Sequence, residues 1–244
     1  MAQIAYMIRD KNIDTMTERC LESLRKSNAT CRIVLFSIDI NDYSKIDRFN
    51  VENVKIEPSQ WYDQRQACKI KNATKIPNIN ENDEIIVMDS DLLFNLDPFK
   101  VFSECNFDVF YTSRGYPYYY SVNAGVWGFK NNKSSREFLA LYNSEISNPS
   151  WAPYINHIRK FGRRGTDWWV DQDFLCVVND NKMSLEKIIP NIRLYDAGPK
   201  YNFCPSFDIL GDKAVEQIKA AMNDKNIIIL HLKGELKIVL GLTN

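Results

Sequence analysis

Residues 85–91 read Ile-Ile-Val-Met-Asp-Ser-Asp, and this stretch decides the fold that the sequence predicts. Four apolar residues that run directly into carboxylates indicate a buried strand with a polar end. In an open α/β sheet, ligands bind at the carboxyl ends of the strands. Two bare carboxylates are costly to bury there, and their hard oxygen atoms suit magnesium, manganese or calcium. Asp89 and Asp91 therefore predict a metal-diphosphate site at a strand end.

The segments before this stretch alternate between strand and helix patterns. Short apolar runs predict strands at 3–8, 31–38, 51–56 and 84–88, and helical spacing predicts helices at 14–27 and 60–74. Thr15 or Thr17 is the expected cap of the first helix. This β-α-β-β-α-β order predicts an α/β fold with a mostly parallel central sheet flanked by helices.

The pattern changes after residue 91. We predict strands at 107–112 and 227–231, helices at 134–146 and 167–178, and irregular structure at 147–166. Ser134 or Ser135 is the expected cap of the helix at 134–146. The chain shows no internal repeat and no clear linker, so one domain over residues 1–244 is expected.

Composition limits the classes of partner. The chain has 31 basic and 31 acidic residues, so no overall field attracts nucleic acid or an anionic membrane. The first ten residues carry no basic leader, and no segment is long enough to cross a bilayer. The six cysteines are scattered, which favours buried thiols in a reducing compartment. We therefore expect a cytoplasmic protein, free or peripheral at the inner membrane face, with no transmembrane segment.

Residues 86–93, followed by Leu96-Asp97-Pro98, resemble the metal motif of glycosyltransferases with the GT-A fold. They are most similar to the retaining family of glycogenin and the bacterial lipopolysaccharide galactosyltransferases. The resemblance implies a single GT-A, Rossmann-like domain with a smaller acceptor-side sheet. Residues 1–91 would form its nucleotide-binding half and residues 92–244 its half for the sugar and the acceptor. The implied reaction moves a sugar from a nucleotide-diphosphate sugar to an acceptor, with retention.

The same resemblance implies a metal and its ligands. Asp89 and Asp91 would hold Mn²⁺ or Mg²⁺, which bridges the diphosphate of the sugar donor, with a UDP-sugar favoured. The ion stabilises the charge on the departing diphosphate. Ser90 would lie beside the donor, and Arg65 could touch its diphosphate. Arg65 belongs to a basic group with Lys69 and Lys71, for which a solvated helix face is the simpler expectation.

Residues 229–234, Ile-Leu-His-Leu-Lys-Gly, carry the second part of the resemblance. His231 would be the third protein ligand to the metal, through a neutral imidazole. Lys233 and Gly234 would contact the phosphates of the donor, one as a point charge and the other through its backbone. The family usually places more residues between this histidine and the lysine.

Two further motifs would line the pocket for the transferred sugar. By the resemblance, Asp171 bonds the sugar hydroxyls and Gln172 lies near the anomeric carbon. A neutral amide is a weak nucleophile, which fits a front-face retaining reaction better than a covalent enzyme intermediate. Whether Asp173 faces the site or the solvent stays open. Residues 123–125, Asn-Ala-Gly, resemble the segment in which Asn123 donates to a sugar hydroxyl, Ala124 lines the pocket and Gly125 leaves room for the ring.

The acceptor and two alternatives remain open. Residues 201–205 resemble an aromatic-asparagine turn near the site, and the aromatic and basic region 147–168 is the expected acceptor side. The acceptor could be a carbohydrate, a lipid-linked sugar or a protein. One alternative is a non-catalytic module that binds a nucleotide sugar or a glycan. The other, less favoured, is a phosphohydrolase of the haloacid dehalogenase type, in which the first aspartate is a nucleophile.

Overall fold

The computed structural model describes residues 1–10, 13–57, 65–114, 121–161 and 170–241. Within these ranges the strands are β1 (Gln3–Asp10), β2 (Arg32–Ile38), β3 (Val51–Lys55), β4 (Glu84–Met88), β5 (Leu92–Phe94), β6 (Val109–Tyr111), β7 (Val126–Lys130), β8 (Leu194–Asp196) and β9 (Ile229–His231). The helices are α1 (Thr15–Ser27), α2 (Arg65–Ala73), α3 (Val101–Glu104), α4 (Lys133–Ser147), α5 (Ala152–Phe161), α6 (Val170–Asp180), α7 (Lys182–Glu186), α8 (Phe207–Leu210), α9 (Asp212–Ala221) and α10 (Glu235–Val239).

The main sheet has seven strands in the order β3-β2-β1-β4-β7-β6-β8. Strands β3, β2, β1 and β4 pair in parallel, as do β6 and β8. Strand β7 is antiparallel to both of its neighbours, β4 and β6. The predicted α/β fold with a mostly parallel central sheet is confirmed. Because β1 and β4 are parallel neighbours, their carboxyl ends lie at one edge.

Both faces of the sheet are covered. Along β4, the side chains of Ile85 and Val87 pack on the face that α2, α4 and α6 cover. The side chains of Ile86 and Met88 pack on the opposite face, against α1. Because β4 is buried on both faces, its sequence is an unbroken run of apolar residues instead of an alternation of apolar and polar ones.

A second, small sheet pairs β5 with β9 in antiparallel register. Strand β5 follows directly after the two aspartates, and the apolar sequence 92–94 does not by itself separate it from a turn. The predicted strand at 227–231 exists in a shorter form, and it lies outside the main sheet. The expected smaller sheet is therefore present. No helix among the described residues combines the length and the apolar character that a bilayer crossing needs.

The helix caps differ from those predicted. Helix α1 is capped by Asp14, whose side chain accepts from the backbone N of Thr17, and not by a threonine. Helix α4 is capped by Asn132, which bonds reciprocally with Ser135 in a capping box. Asp and Asn accept at a cap at least as well as Ser or Thr. Asp14 is the first residue of the predicted helix 14–27, and Asn132 stands two residues before the predicted start at 134.

The prediction of irregular structure at 147–166 is wrong for residues 152–161, which form α5. Pro153 lies in the first turn of this helix, where a missing N–H costs nothing. Before it, the carboxylate of Glu145 accepts from the backbone N atoms of Ser150 and Trp151. This buried anchor sets the start of the helix. Two further stretches lie outside the described residues: the tyrosine-rich residues 116–120, and residues 167–169 of the helix predicted at 167–178.

Candidate functional site

The carboxyl end of β4 meets the start of β7. Met88 pairs with Val126, so the next residue, Asp89, lies beside Gly125 and donates its backbone N–H to Gly125 O at 2.9 Å. A Cβ atom on Gly125 would stand 2.1 Å from Cε1 of His231 and 2.9 Å from Oδ2 of Asp89. Only glycine fits here, because the imidazole of His231 occupies that space. Space for the sugar ring, the role expected for Gly125, stays a prediction.

The small sheet places His231 beside the two aspartates. His231 in β9 pairs with Leu92 in β5, and Leu232 N donates to Asp91 O at 2.9 Å. As a result, Nε2 of His231 lies 3.1 Å from Oδ1 of Asp91 and 3.5 Å from Oδ2 of Asp89. The three ligand atoms of this Asp-Asp-His cluster all lie within 4.8 Å of one another. The sequence-distant residues that were predicted to converge do so.

The donor atoms of the cluster suit a divalent cation. Oδ1 of Asp91 and Nε2 of His231 are buried, and apart from each other, at 3.1 Å, they have no hydrogen-bond partner among the described residues. Burial lowers the pKa of His231, which favours the neutral imidazole. Burial alone would raise the pKa of Asp91, but positive charge beside it, including the ammonium of Lys237, outweighs burial and holds this pKa well below its usual range. A neutral imidazole beside ionised carboxylates is the protonation state that metal binding requires.

Lys69 corrects the expectation of a solvated basic helix. Its Nζ lies 2.5 Å from Oδ1 of Asp89 and 3.7 Å from Oδ2 of Asp171, and the residue is 3% exposed. The pKa of Lys69 is raised, because the two carboxylates outweigh the burial that acts against the charged form. Ile70 and Ala73 pack into the sheet, so α2 presents its Lys69 face to the strand ends. Arg65 is the first residue of α2, and its side chain is not among those that the structure describes, so its expected contact with the diphosphate stays a prediction.

Lys237 was not predicted as a site residue. Its Nζ lies 2.7 Å from Oδ2 of Asp91. It stands six residues after His231, and the wider histidine-lysine spacing of the resembled family could have pointed to it. Lys233 is partly exposed, and Gly234 is exposed at φ 55°, a conformation that favours glycine at the start of α10.

Helix α6 places Asp171 and Gln172 beside Lys69. Both side chains are buried, and burial raises the pKa of Asp171 to about 6. Nε2 of Gln172 is buried without a hydrogen-bond partner among the described residues. An unpaired buried amide is costly, so this atom marks a place for a polar ligand. Asp173 faces α5 instead, where Oδ1 lies 3.1 Å from Nε2 of His157.

The remaining predicted residues border the cluster. Asn123 is fully buried, and its Oδ1 accepts from Gly125 N at 3.1 Å. Ala124 is 4% exposed beside it. Ser90 accepts from Nη1 of Arg9 at 3.2 Å. From the aromatic-asparagine turn, Oδ1 of Asn202 lies 2.9 Å from Nδ1 of His231, so this turn does reach the site.

Comparison with known proteins shows likeness only at the level of structure. No family model matches the sequence, and no curated protein matches it. The chain superposes on glycosyltransferase GlyE of Streptococcus pneumoniae TIGR4 with a TM-score of 0.55 and 16% identity, over 96% of this chain and 55% of GlyE. This chain therefore spans about half the length of GlyE.

Two other glycosyltransferase structures are similar over most of their length. One is involved in the glycosylation of the major capsid of PBCV-1, with a TM-score of 0.56, 14% identity and coverage of 100% of both chains. The other is the galactosyltransferase LgtC, solved with donor and acceptor sugar analogs, with a TM-score of 0.54, 12% identity and coverage of 95% of this chain and 87% of LgtC. These likenesses and the sheet topology show the GT-A fold.

Proposed function

We propose that this chain is a glycosyltransferase that moves a sugar from a nucleotide-diphosphate sugar to an acceptor, with retention of anomeric configuration. One observation carries the proposal: Asp89, Asp91 and His231 converge at the carboxyl edge of a GT-A sheet, and the buried ligand atoms of Asp91 and His231 have no hydrogen-bond partner outside this cluster among the described residues. The similar solved structures are those of glycosyltransferases, which supports the same reaction class. LgtC was solved with sugar analogs, which supports a sugar donor and a sugar-bearing acceptor.

Asp89, Asp91 and His231 would hold Mn²⁺ or Mg²⁺. Two carboxylate oxygens and an imidazole nitrogen are acceptable to both ions, and the imidazole favours manganese. When bound, the ion supplies Lewis-acid stabilisation of the diphosphate leaving group. Lys237 pairs with Asp91, and the charge of Lys233 acts on Asp89. Both lysines add positive charge near the cluster, and they would bond the phosphate oxygens. Gly234 would let the backbone approach those phosphates.

The transferred sugar would lie between α6 and the start of β7. Asp171 would accept from the sugar hydroxyls, and Lys69 would orient that carboxylate. The free Nε2 of Gln172 would bond the sugar near its anomeric carbon. Because an amide is a poor nucleophile, attack by the acceptor on the face that the diphosphate leaves accounts for retention. Anomeric assignment of the product by NMR tests this stereochemistry.

The remaining contacts to the sugar donor are assigned from where the residues stand relative to the Asp-Asp-His cluster. Asn123, Ala124 and Gly125 would line the sugar pocket, and Ser90 and Arg65 would lie beside the diphosphate. We assign residues 1–91 to the nucleotide and residues 92–244 to the sugar and the acceptor, within one domain. A UDP-sugar is the favoured donor, and the acceptor is a carbohydrate, a lipid-linked sugar or a protein.

The test is a screen of UDP-, GDP- and TDP-sugars with Mn²⁺. Transfer or slow hydrolysis supports a transferase, binding alone supports a non-catalytic module, and cleavage of simple phosphate esters supports a phosphohydrolase. Asp91→Ala should abolish metal-dependent binding of the sugar donor, because it removes one of three ligands. Asp212→Ala, an exposed acidic residue on α9, is the matched control. Undiminished donor binding in Asp91→Ala would refute the site.

A further inference from the structure

A chain of buried polar side chains lies directly behind His231. Thr112, Asn123 and His231 are fully buried, and Asn202 is 4% exposed. Nδ2 of Asn202 lies 2.8 Å from Oγ1 of Thr112 and 3.0 Å from the backbone O of Asn123. Oδ1 of Asn202 lies 2.9 Å from Nδ1 of His231. Water does not reach these groups, so their hydrogen bonds must be satisfied by one another.

The neighbours of Asn202 determine which way its amide points. A backbone carbonyl only accepts hydrogen bonds, so the Asn202 atom beside Asn123 O must be the NH₂ group. The hydroxyl of Thr112 lies 2.9 Å from the carbonyl O of Val126, to which it donates, and it accepts from Asn202 in turn. Both hydrogens of the NH₂ group are therefore used, and the amide oxygen has to face His231.

That orientation determines where the imidazole carries its hydrogen. An amide oxygen accepts and does not donate, so Nδ1 of His231 must be the N–H atom. A neutral imidazole has one N–H, which leaves Nε2 with its lone pair. Nε2 faces Oδ1 of Asp91 and Oδ2 of Asp89, where the proposed cation would bind. These carboxylate oxygens also only accept, so in the metal-free protein they compete with Asn202 for the imidazole hydrogen. A bound cation removes this competition, and the lone pair of Nε2 is then directed at the cation.

We propose that Asn202 is a positioning residue that sets the tautomer of His231 and so keeps Nε2 open for a divalent cation. The inference rests on the metal site of the proposed function. Asn202 is held in place by the backbone that follows it: Phe203 N donates to Ile229 O, and His231 N donates to Phe203 O, both at 2.9 Å. Asn202 thus acts on the cation through His231 and does not touch it.

The structure also holds a competitor for the same nitrogen. Nδ2 of Asn123 lies 3.5 Å from Nδ1 of His231, and an NH₂ group can only donate. Without Asn202, the Asn123 amide is the nearest polar partner of Nδ1, and it would require Nδ1 as an acceptor. The hydrogen would then move to Nε2 and occupy the face where the cation binds. Loss of Asn202 should therefore reverse the tautomer.

The tautomer can be read directly by ¹⁵N NMR of the imidazole nitrogens at mildly alkaline pH in protein saturated with Mg²⁺, which is diamagnetic and takes the place between Nε2 and the carboxylates. The chain has only two histidines, His157 and His231. In a His157→Gln variant, the remaining imidazole signals belong to His231. We expect wild-type His231 to carry hydrogen on Nδ1, and Asn202→Leu to carry it on Nε2. A wild-type protein with hydrogen on Nε2 would overturn the inference without any Asn202 variant, even if that variant does not fold.

Asn202→Asp separates positioning from packing. It keeps an acceptor toward Nδ1 but sets a second oxygen against Asn123 O, so it should lower the Tm and still preserve the wild-type tautomer. Calorimetric titration with Mn²⁺ should show affinity weakened about 10- to 100-fold in Asn202→Leu and largely restored in Asn202→Asp. A wild-type tautomer in Asn202→Leu, or equal loss in both variants, would contradict the inference. The NMR result does not depend on turnover, so a failed transfer assay would count against the proposed function alone.

Discussion

Lys69 sets its ammonium group 2.5 Å from a carboxylate oxygen of Asp89, inside the protein at the carboxyl edge of the sheet. The same ammonium lies 3.7 Å from a carboxylate oxygen of Asp171 in α6. One lysine thus compensates both the proposed metal ligand and the carboxylate that we propose for binding the sugar. Asp171 is buried and Asp89 is partly buried, so keeping both charges without this partner would be costly.

Replacing Lys69 by Met should destabilise the metal-free protein. Removing one partner of a buried ion pair costs about 3–5 kcal/mol, which is a fall in Tm on the order of 10 °C for a chain of this size. Mn²⁺ should then raise the Tm more in Lys69→Met than in the wild type, because the ion replaces the lost positive charge. Thermal denaturation with and without Mn²⁺ measures both effects.

Lys75→Met, at an exposed position just after the same helix, is the control for loss of a lysine near α2. It should leave both the Tm and its response to Mn²⁺ close to those of the wild type. An equal response to Mn²⁺ in Lys69→Met and Lys75→Met would show that Lys69 does not compensate the proposed metal ligands.

Lys237 should weaken binding of the cation and strengthen binding of the diphosphate. It pairs with Oδ2 of Asp91, so Lys237→Met should tighten Mn²⁺ binding to the nucleotide-free protein by about two- to fivefold, the worth of a partly exposed ion pair. The same variant should weaken UDP binding in the presence of Mn²⁺. Calorimetric titrations measure both, with Lys219→Met on the exposed side of α9 as the control. A decrease or no change in Mn²⁺ affinity would contradict the prediction.

Gly125→Ala should remove the metal site through contact with His231. The new methyl group would overlap Cε1 and Nδ1 of the imidazole and press on Asp89, so the imidazole has to leave its place. We expect Mn²⁺ binding to be lost. Gly128→Ala is the matched control in β7, since its Cβ would press on Ile85 O in the sheet and lower the Tm without touching the site. Wild-type Mn²⁺ affinity in Gly125→Ala would show that His231 is not where the structure puts it.

Asp108 should make part of the stability depend on pH. Burial alone would raise its pKa, but the hydrogen bonds that it accepts from Arg193 and Asn132 hold the pKa below its usual value. The unfolded state therefore takes up the proton at higher pH, so this contribution is present above about pH 4 and is lost as the pH falls through the lower folded pKa.

Arg193→Met should accordingly lower the Tm at pH 7 and have a progressively smaller effect as the pH falls through the lowered pKa of Asp108 in the folded wild type, because Asp108 then becomes protonated in both proteins. Thermal denaturation across this range gives the comparison. Arg136→Met, which loses an exposed pair with Glu81, should show a small effect at every pH. A constant Tm difference between wild type and Arg193→Met would remove Asp108 as the titrating group.

Local patterns in the sequence were sufficient for the main strands. The apolar runs of β1, β2 and β4 are buried on both faces, and such runs predict strands wherever they occur. Local rules failed where packing decides. Helix α5 is set by Glu145 and a proline in its first turn, and Lys69 is buried because α2 turns that face toward two carboxylates.

The sequence by itself determined that two aspartates end a buried strand, and the family resemblance supplied the expectation that His231 joins them. Only the tertiary structure decided how. The pairing of β5 with β9, and of β4 with β7, brings residues 89, 125 and 231 together, because antiparallel ladders fix register across long stretches of chain. The side chains next to the cluster, Lys69, Lys237 and Asn202, come from other parts of the chain. Their contacts depend on how these parts pack, and local sequence spacing does not predict that packing.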